Sequence, residues 1–172
     1  ARPVAGFAGF DQDFGRAVAV AGTEGIAGSP AIASASPKGA AFVLPCLALA
    51  ARFPNPQSRP GEGFGWSVAV FGERILIGTP HVSTETENNL GAASVWVPRG
   101  STWEKEADLV PEVVEEIANH GFDVALDGDT AAVSALGART AGVQTGAVRV
   151  YVRSGSTWTQ QQKLSIPGLT IG

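Results

Sequence analysis

Cysteine and histidine are nearly missing from this 172-residue chain, with one of the first and two of the second. Cys46 has no partner for an internal disulfide, and its simplest role is that of a small buried hydrophobe. Charged residues are also scarce, at 16% of the chain with a net charge of −4. Without a basic patch to follow a phosphate backbone, nucleic-acid binding is not expected. No apolar run reaches 18 residues, so no membrane-spanning segment is expected. The longest candidate, Phe42–Ala51, is interrupted by Pro45 and reads instead as two successive strands. No signal peptide is visible, and removal of one before Ala1 is compatible with this start. Helical periodicity is absent as well, except that Val113–Ala118 has room for a single turn in a loop.

What the chain has in quantity is glycine (22) and proline (11), the punctuation of many turns. The glycines fall in register. Gly15, Gly65 and Gly121 are separated by steps of 50 and 56, and Gly39, Gly91 and Gly146 by steps of 52 and 55. Around them runs one pattern: Phe-Gly, a strand of small residues, a glycine turn, an apolar strand, then Gly-Ala and a further apolar strand. The first copy reads DFGRAVAVAGTEGIAGSP and the second GFGWSVAVFGERILIGTP. In the third, His120 stands where the others have Phe14 and Phe64. The second and third copies also share a fourth segment, which places Trp103 over Trp158 and Leu109 over Leu164. A period of this length marks a repeat architecture.

Each unit reads as four strands, in the second copy Trp66–Phe71, Arg74–Gly78, Ala92–Val97 and Trp103–Leu109. Ile75, Leu76 and Ile77 are consecutive and apolar, so both faces of that strand are expected to be covered. Alternating small residues in AVAV and SVAVF suit inner strands, where sheets converge on an axis. The expected fold is therefore all-β, with four-stranded antiparallel blades of the β-propeller type, three per chain. We place the blades at about 11–60, 61–112 and 118–165 of a single repeat domain over 1–172.

The residues Phe14-Gly15 and Phe64-Gly65, followed by Gly28-Ser29-Pro30 and Gly78-Thr79-Pro80, resemble the FG-GAP repeat, the blade unit of the integrin α-subunit head. The third copy departs from it, with His120-Gly121 and Ser134-Ala135-Leu136 in the same places. The resemblance implies a partner-binding module in a secreted or cell-surface assembly, so an extracellular location is expected. Integrin-type repeats hold calcium in an acidic loop between the first two strands of a blade. Here the corresponding turns, Ala21–Glu24, Phe71–Arg74 and Asp127–Asp129, are too short to gather six to eight oxygen ligands. The calcium cages are expected to be absent and no cofactor is anticipated; Asp11-Gln12-Asp13 reads as solvated turn acids.

Propellers close with about four to eight blades, and three leave the two end faces of the stack bare. Closure requires other protein chains or further blades: a longer polypeptide, a homo-oligomer in which two threes make six, or different chains. The tail Ser165–Gly172 points mildly towards continuation or pairing.

Chemistry is sparse. His81 and His120 belong to loops of different blades, which makes a nucleophile–base–acid set hard to assemble. The expectation is that the chain is not an enzyme. The loops Ile32–Lys38, Val82–Leu90 and Ala138–Thr145 carry the most sequence variety and are the expected contact segments. Candidate partner-binding residues are His81, Glu85, Glu87, Asn88, Asn89, Trp96 and Arg139. Trp96 is either inter-blade core or an exposed platform. In the second case a lectin using inter-blade pockets becomes the alternative reading. Trp103 and Trp158 share one repeat position, which favours structural plugs between blades over sugar platforms.

Overall fold

The computed structural model describes residues 13–30, 39–45, 51–54, 61–100 and 102–166. Three four-stranded antiparallel sheets follow one another along the chain. Blade 1 contains β1 (Val18–Ala21), β2 (Glu24–Ser29), β3 (Ala40–Pro45) and β4 (Ala51–Pro54). Blade 2 contains β5 (Ser67–Phe71), β6 (Arg74–Thr79), β7 (Ala92–Arg99) and β8 (Thr102–Asp108). In blade 3, β9 (His120–Asp127) and β10 (Thr130–Ala135) are followed by a small hairpin, β11 (Arg139–Thr140) and β12 (Val143–Gln144). Blade 3 is completed by β13 (Ala147–Ser154) and β14 (Thr157–Leu164). There is no helix among the described residues, and the blades do not close into a ring.

Two-residue turns join the first two strands of each blade, with pairs Ala21↔Glu24, Phe71↔Arg74 and Thr130↔Asp127 at their bases. Inner strand β5 touches β1 on one side and β9 on the other. The small residues of these strands are what permits the approach. Between blades 1 and 2 lies a cluster of Ile26, Ala41, Val43, Phe64, Val68, Ile75, Ile77 and Trp96. Between blades 2 and 3 lies another, of Ala69, Leu76, Ala93, Val95, Leu109, Val124, Ala131, Val133 and Tyr151. Because successive side chains on a strand point to opposite faces, Ile75 and Ile77 serve the first cluster while Leu76 serves the second. That division explains the uninterrupted apolar run in β6.

Some expectations are corrected. Residues 113–118 form a bend and a turn, not a helical turn. The Ala118 amide closes one turn on Glu115 O at 3.3 Å, while the Ile117 amide bonds instead to Asn88 O of the neighbouring loop at 2.9 Å. Strand β4 starts at Ala51, so the run Phe42–Ala51 supplies the third strand and only the first residue of the fourth. Cys46, Asp11, Gln12, the loop Ile32–Lys38 and the tail beyond Ile166 lie outside the described residues.

Candidate functional site

Three connections meet at one edge of blades 2 and 3, held by their backbones. The β6–β7 loop is braced internally: Thr84 Oγ1 accepts from the Glu87 amide at 3.0 Å and Ser83 Oγ from the Asn89 amide at 2.9 Å. The carbonyls of Asn88, Asn89 and Leu90 then accept from the amides of Ile117, Asn119 and His120, at 2.9, 2.9 and 3.0 Å. On its far side the same 110–119 segment is tied to blade 3. There the Gly137 amide donates to Ala118 O at 3.0 Å and the Arg139 amide to Glu115 Oε2 at 3.0 Å.

Glu115 is the anchor of this strap. It pairs with Lys163 and lies 3.5 Å from Arg149 Nη2. Burial works against its ionisation, but hydrogen bonds from Lys163 and the Arg139 amide outweigh that and hold its carboxyl below the usual range. A second tie joins the Glu112 amide to Gln160 Oε1 at 3.3 Å. So pinned, the strap presents Val110, Val113, Val114 and Ile117 to solvent. Ile117 also has φ of 58°, a left-handed backbone that β-branched residues avoid.

The residues anticipated from sequence divide into two groups. Glu85, Glu87 and Asn88 are exposed on the β6–β7 loop, with Asn89 half-buried beside them, and Arg139 is exposed across the strap. These lie on segments that the hydrogen bonds join. His81 is turned away from that loop's acids: its ring meets Trp66 edge-on at 4.8 Å. Burial, then the charge of Arg16, push His81 below its ordinary pKa. Trp96 is not on the surface. It is 8% exposed within the seam of blades 1 and 2, with Nε1 donating to Ser94 Oγ at 2.9 Å. The platform alternative therefore fails at Trp96. Trp66 is covered too, by the Arg16 guanidinium 3.5 Å above its ring and by Phe122 at 5.3 Å. Trp103 and Trp158 pack on the first and second seams respectively, as inter-blade plugs.

The strap valines and Ile117 went unrecognised in sequence. The available signal was PEVVEEI, an apolar doublet set among glutamates between two strand patterns. Read as a possible helical turn, it gave no reason to expect outward-facing valines.

Beneath the strap the seam is polar and buried. His120 is fully buried, with Nε2 3.0 Å from Leu109 O and 3.3 Å from the Tyr151 hydroxyl. Nδ1 lies 3.5 Å from Arg149 Nη1. Burial, then the Arg149 charge, lower the His120 pKa to about 4. Burial raises that of Tyr151 to about 12. Further out along the seam Glu106 accepts from Trp158 Nε1 at 3.0 Å and Arg153 Nη2 at 3.2 Å, and lies 3.5 Å from Arg74. A carboxylate that takes two hydrogen bonds from blade 3 and an ion pair from blade 2 is a clasp. Glu106→Ala removes the partner of Arg74 and of the Trp158 indole and leaves Arg153 with Asp129 alone, and we expect it to cost about 2 kcal/mol in urea unfolding, against a few tenths for the exposed Lys105–Asp108 pair.

No group of three or more His, Cys, Asp or Glu side chains capable of holding a metal is found among the described residues. The two-residue turns between the first strands of each blade do not have the span of a calcium loop.

A search of curated proteins returns no match. A family model described as FG-GAP repeat matches residues 103–151. That stretch opens at Trp103 in β8, crosses the strap and ends at Tyr151 in β13. It takes the last strand of one blade with the first three of the next, so it spans the seam just described. The match falls on the copy whose Phe-Gly has become His120-Gly121, while the undamaged signatures lie outside it at 14–15 and 64–65. On this match and the blade architecture, the chain carries an FG-GAP repeat at residues 103–151 within a set of propeller-type blades.

Proposed function

We propose that this chain is a non-catalytic protein-binding or scaffold module, of adhesion type, working in a secreted or cell-surface assembly. The observation that carries the reading is the strap. Four large apolar side chains, Val110, Val113, Val114 and Ile117, are held outward on a backbone tied to both neighbouring blades. Apolar groups on a pre-ordered frame bind without a large ordering cost. Glu85, Glu87 and Arg139 beside them supply a polar rim of both signs. The positive φ at Ile117 adds weight, because an unfavourable side chain retained in a strained position points to use of its surface.

The non-catalytic reading draws support from the histidines. His120 is sealed in a seam, where the hydroxyl beside it belongs to Tyr151, itself buried and held protonated with a pKa raised to about 12, and His81 packs edge-on against Trp66. The lectin alternative rested on an exposed Trp96 and has lost that footing.

The test compares the intact chain with Val113→Asp/Val114→Asp as immobilised bait for a cell-surface protein extract. A glycan array is run with both. The expected result is a retained protein that the double variant loses by at least tenfold, while Thr159→Asp on the outer strand keeps it. Glycan binding unaffected by the strap change, with no protein retained, would overturn the reading.

A further inference from the structure

The three blades seat on one another through one repeated joint, and the outer face of blade 3 differs from it at each matching position. At the joint of blades 1 and 2, the carbonyl of Gly65 presses on Gly28, where an added Cβ would lie 1.9 Å from that oxygen. At the joint of blades 2 and 3, the Gly121 carbonyl presses on Gly78 in the same way, at 2.1 Å. There it also accepts a hydrogen bond from Ser67 Oγ at 2.9 Å. The receiving seat thus consists of a glycine on the second strand, a small or donating residue on the inner strand (Ala17 or Ser67), and an alanine on the third strand (Ala41 or Ala93). Both alanines are buried.

The register of blade 3 puts Ser134, Asp123 and Val148 at these three places: Ser134 pairs with Val148 as Gly78 pairs with Ala93. All three are larger than their counterparts. The hydroxyl of Ser134 is engaged by the Asp123 amide at 2.8 Å, which draws it across the seat. The Asp123 carboxylate replaces a donor with an acceptor, so an incoming glycine carbonyl would meet a like partial charge. These residues line one shallow depression on the open face. The strand register also slips between Val133 and Ala135, beside the seat.

The opposite end of the chain keeps the complementary plug. Gly15 has φ of 83°, matching 88° at Gly65 and 87° at Gly121, yet a Cβ on it would meet nothing within 4 Å among the described residues. Phe14 is 51% exposed where Phe64 is fully buried.

We propose that Asp123, Ser134 and Val148 close blade 3 to a further Phe-Gly blade, so that a second copy of this chain cannot seat its Phe14-Gly15 plug there. Blades of this kind then add only at the blade 1 end. The inference stands on the blade joints alone and is independent of the strap's role.

Sedimentation equilibrium of the full chain tests it, with the triple variant Asp123→Ser/Ser134→Gly/Val148→Ala alongside. A restored seat and a free plug make a heterologous contact, which yields rings or open chains. The triple variant is expected to self-associate at least tenfold more tightly than the unaltered chain, and adding Gly15→Val is expected to abolish the gain. Self-association of the unaltered chain that Gly15→Val removes would overturn the proposal, as would a folded triple variant no stickier than its parent. If the triple variant does not fold, Gly78→Ser places the same obstruction inside blade 2. At least a tenfold loss of amide-exchange protection across Gly121–Val124 then supports the block, and full protection refutes it.

Discussion

Replacement of Gly121 by alanine is expected to cost about 4 kcal/mol in urea unfolding, while the matching change at Gly15 costs about 1–2 kcal/mol. Both glycines hold the same left-handed backbone, at 87° and 83°, and any L-residue there pays roughly 1–2 kcal/mol. What separates them is the neighbour. A Cβ at Gly121 would sit 2.1 Å from Ala92 O and 3.0 Å from the Thr79 amide, both backbone atoms of blade 2. Neither can swing aside as a side chain would, so the joint must open or deform, adding about 1–3 kcal/mol of overpacking. Gly65→Ala should behave like Gly121→Ala, since its Cβ would lie 2.4 Å from Ala40 O. Equal midpoint shifts for Gly15→Ala and Gly121→Ala, at constant m, would mean that the glycines serve turn geometry alone and that the joint is not the source of their spacing.

This joint also explains how far the sequence could be read. Gly65 and Gly121 stand where the backbone must lie on its neighbour, Gly15 repeats their conformation at the end of the stack, and the requirement survives when the residue before it changes from Phe to His. The blades were therefore legible from a handful of positions. Their order in each sheet followed from the short turns, because two-residue connections force adjacent antiparallel strands. The rim was harder. Glu85, Glu87, Asn88 and Arg139 announced themselves as polar loop residues, but nothing in one sequence says which loops meet. The contact between 117–120 and 88–90 is made by backbone groups, which leave no mark on residue identity. Trp96 posed the converse problem. Its alternation with Val95 and Val97 defines two faces of a strand without revealing that a second blade covers each. The valines of the strap were passed over because their segment was read as a single turn in a loop, and a turn says nothing of which side chains face outward.

Acidification should loosen the seam between blades 2 and 3 ahead of its lowered carboxylates Glu106 and Glu115, and His120 is the main cause. With the proton on Nε2 the neutral ring donates to Leu109 O at 3.0 Å and leaves Nδ1 to accept from Arg149, 3.5 Å away. A second proton would set an N–H on Nδ1 against that guanidinium, in a site without water access to spread the charge. The folded pKa is accordingly about 4, against an ordinary value of 6.5. Below pH 6.5 the unfolded chain takes up a proton that the folded chain refuses, so stability rises with pH across this window and is lost on acidification. The loss amounts to about 3 kcal/mol by pH 4. Glu106 and Glu115, both held below the usual carboxylate range, add their own losses only at lower pH. Between pH 6.5 and 4.5 the slope therefore belongs to the two histidines, the larger part to His120 and the smaller to His81, which burial and Arg16 also hold below its ordinary value. His120→Phe restores the residue found at 14 and 64 and removes the titrating group. It gives up the bond to Leu109 O and the contacts with Tyr151 and Arg149, about 1–3 kcal/mol, but its unfolding free energy should fall much less steeply than the parent's across the window, with only the His81 contribution left. A parent curve no steeper than the variant's would show that His120 is hydrated or already charged at neutral pH, and the closed seam would have to be given up.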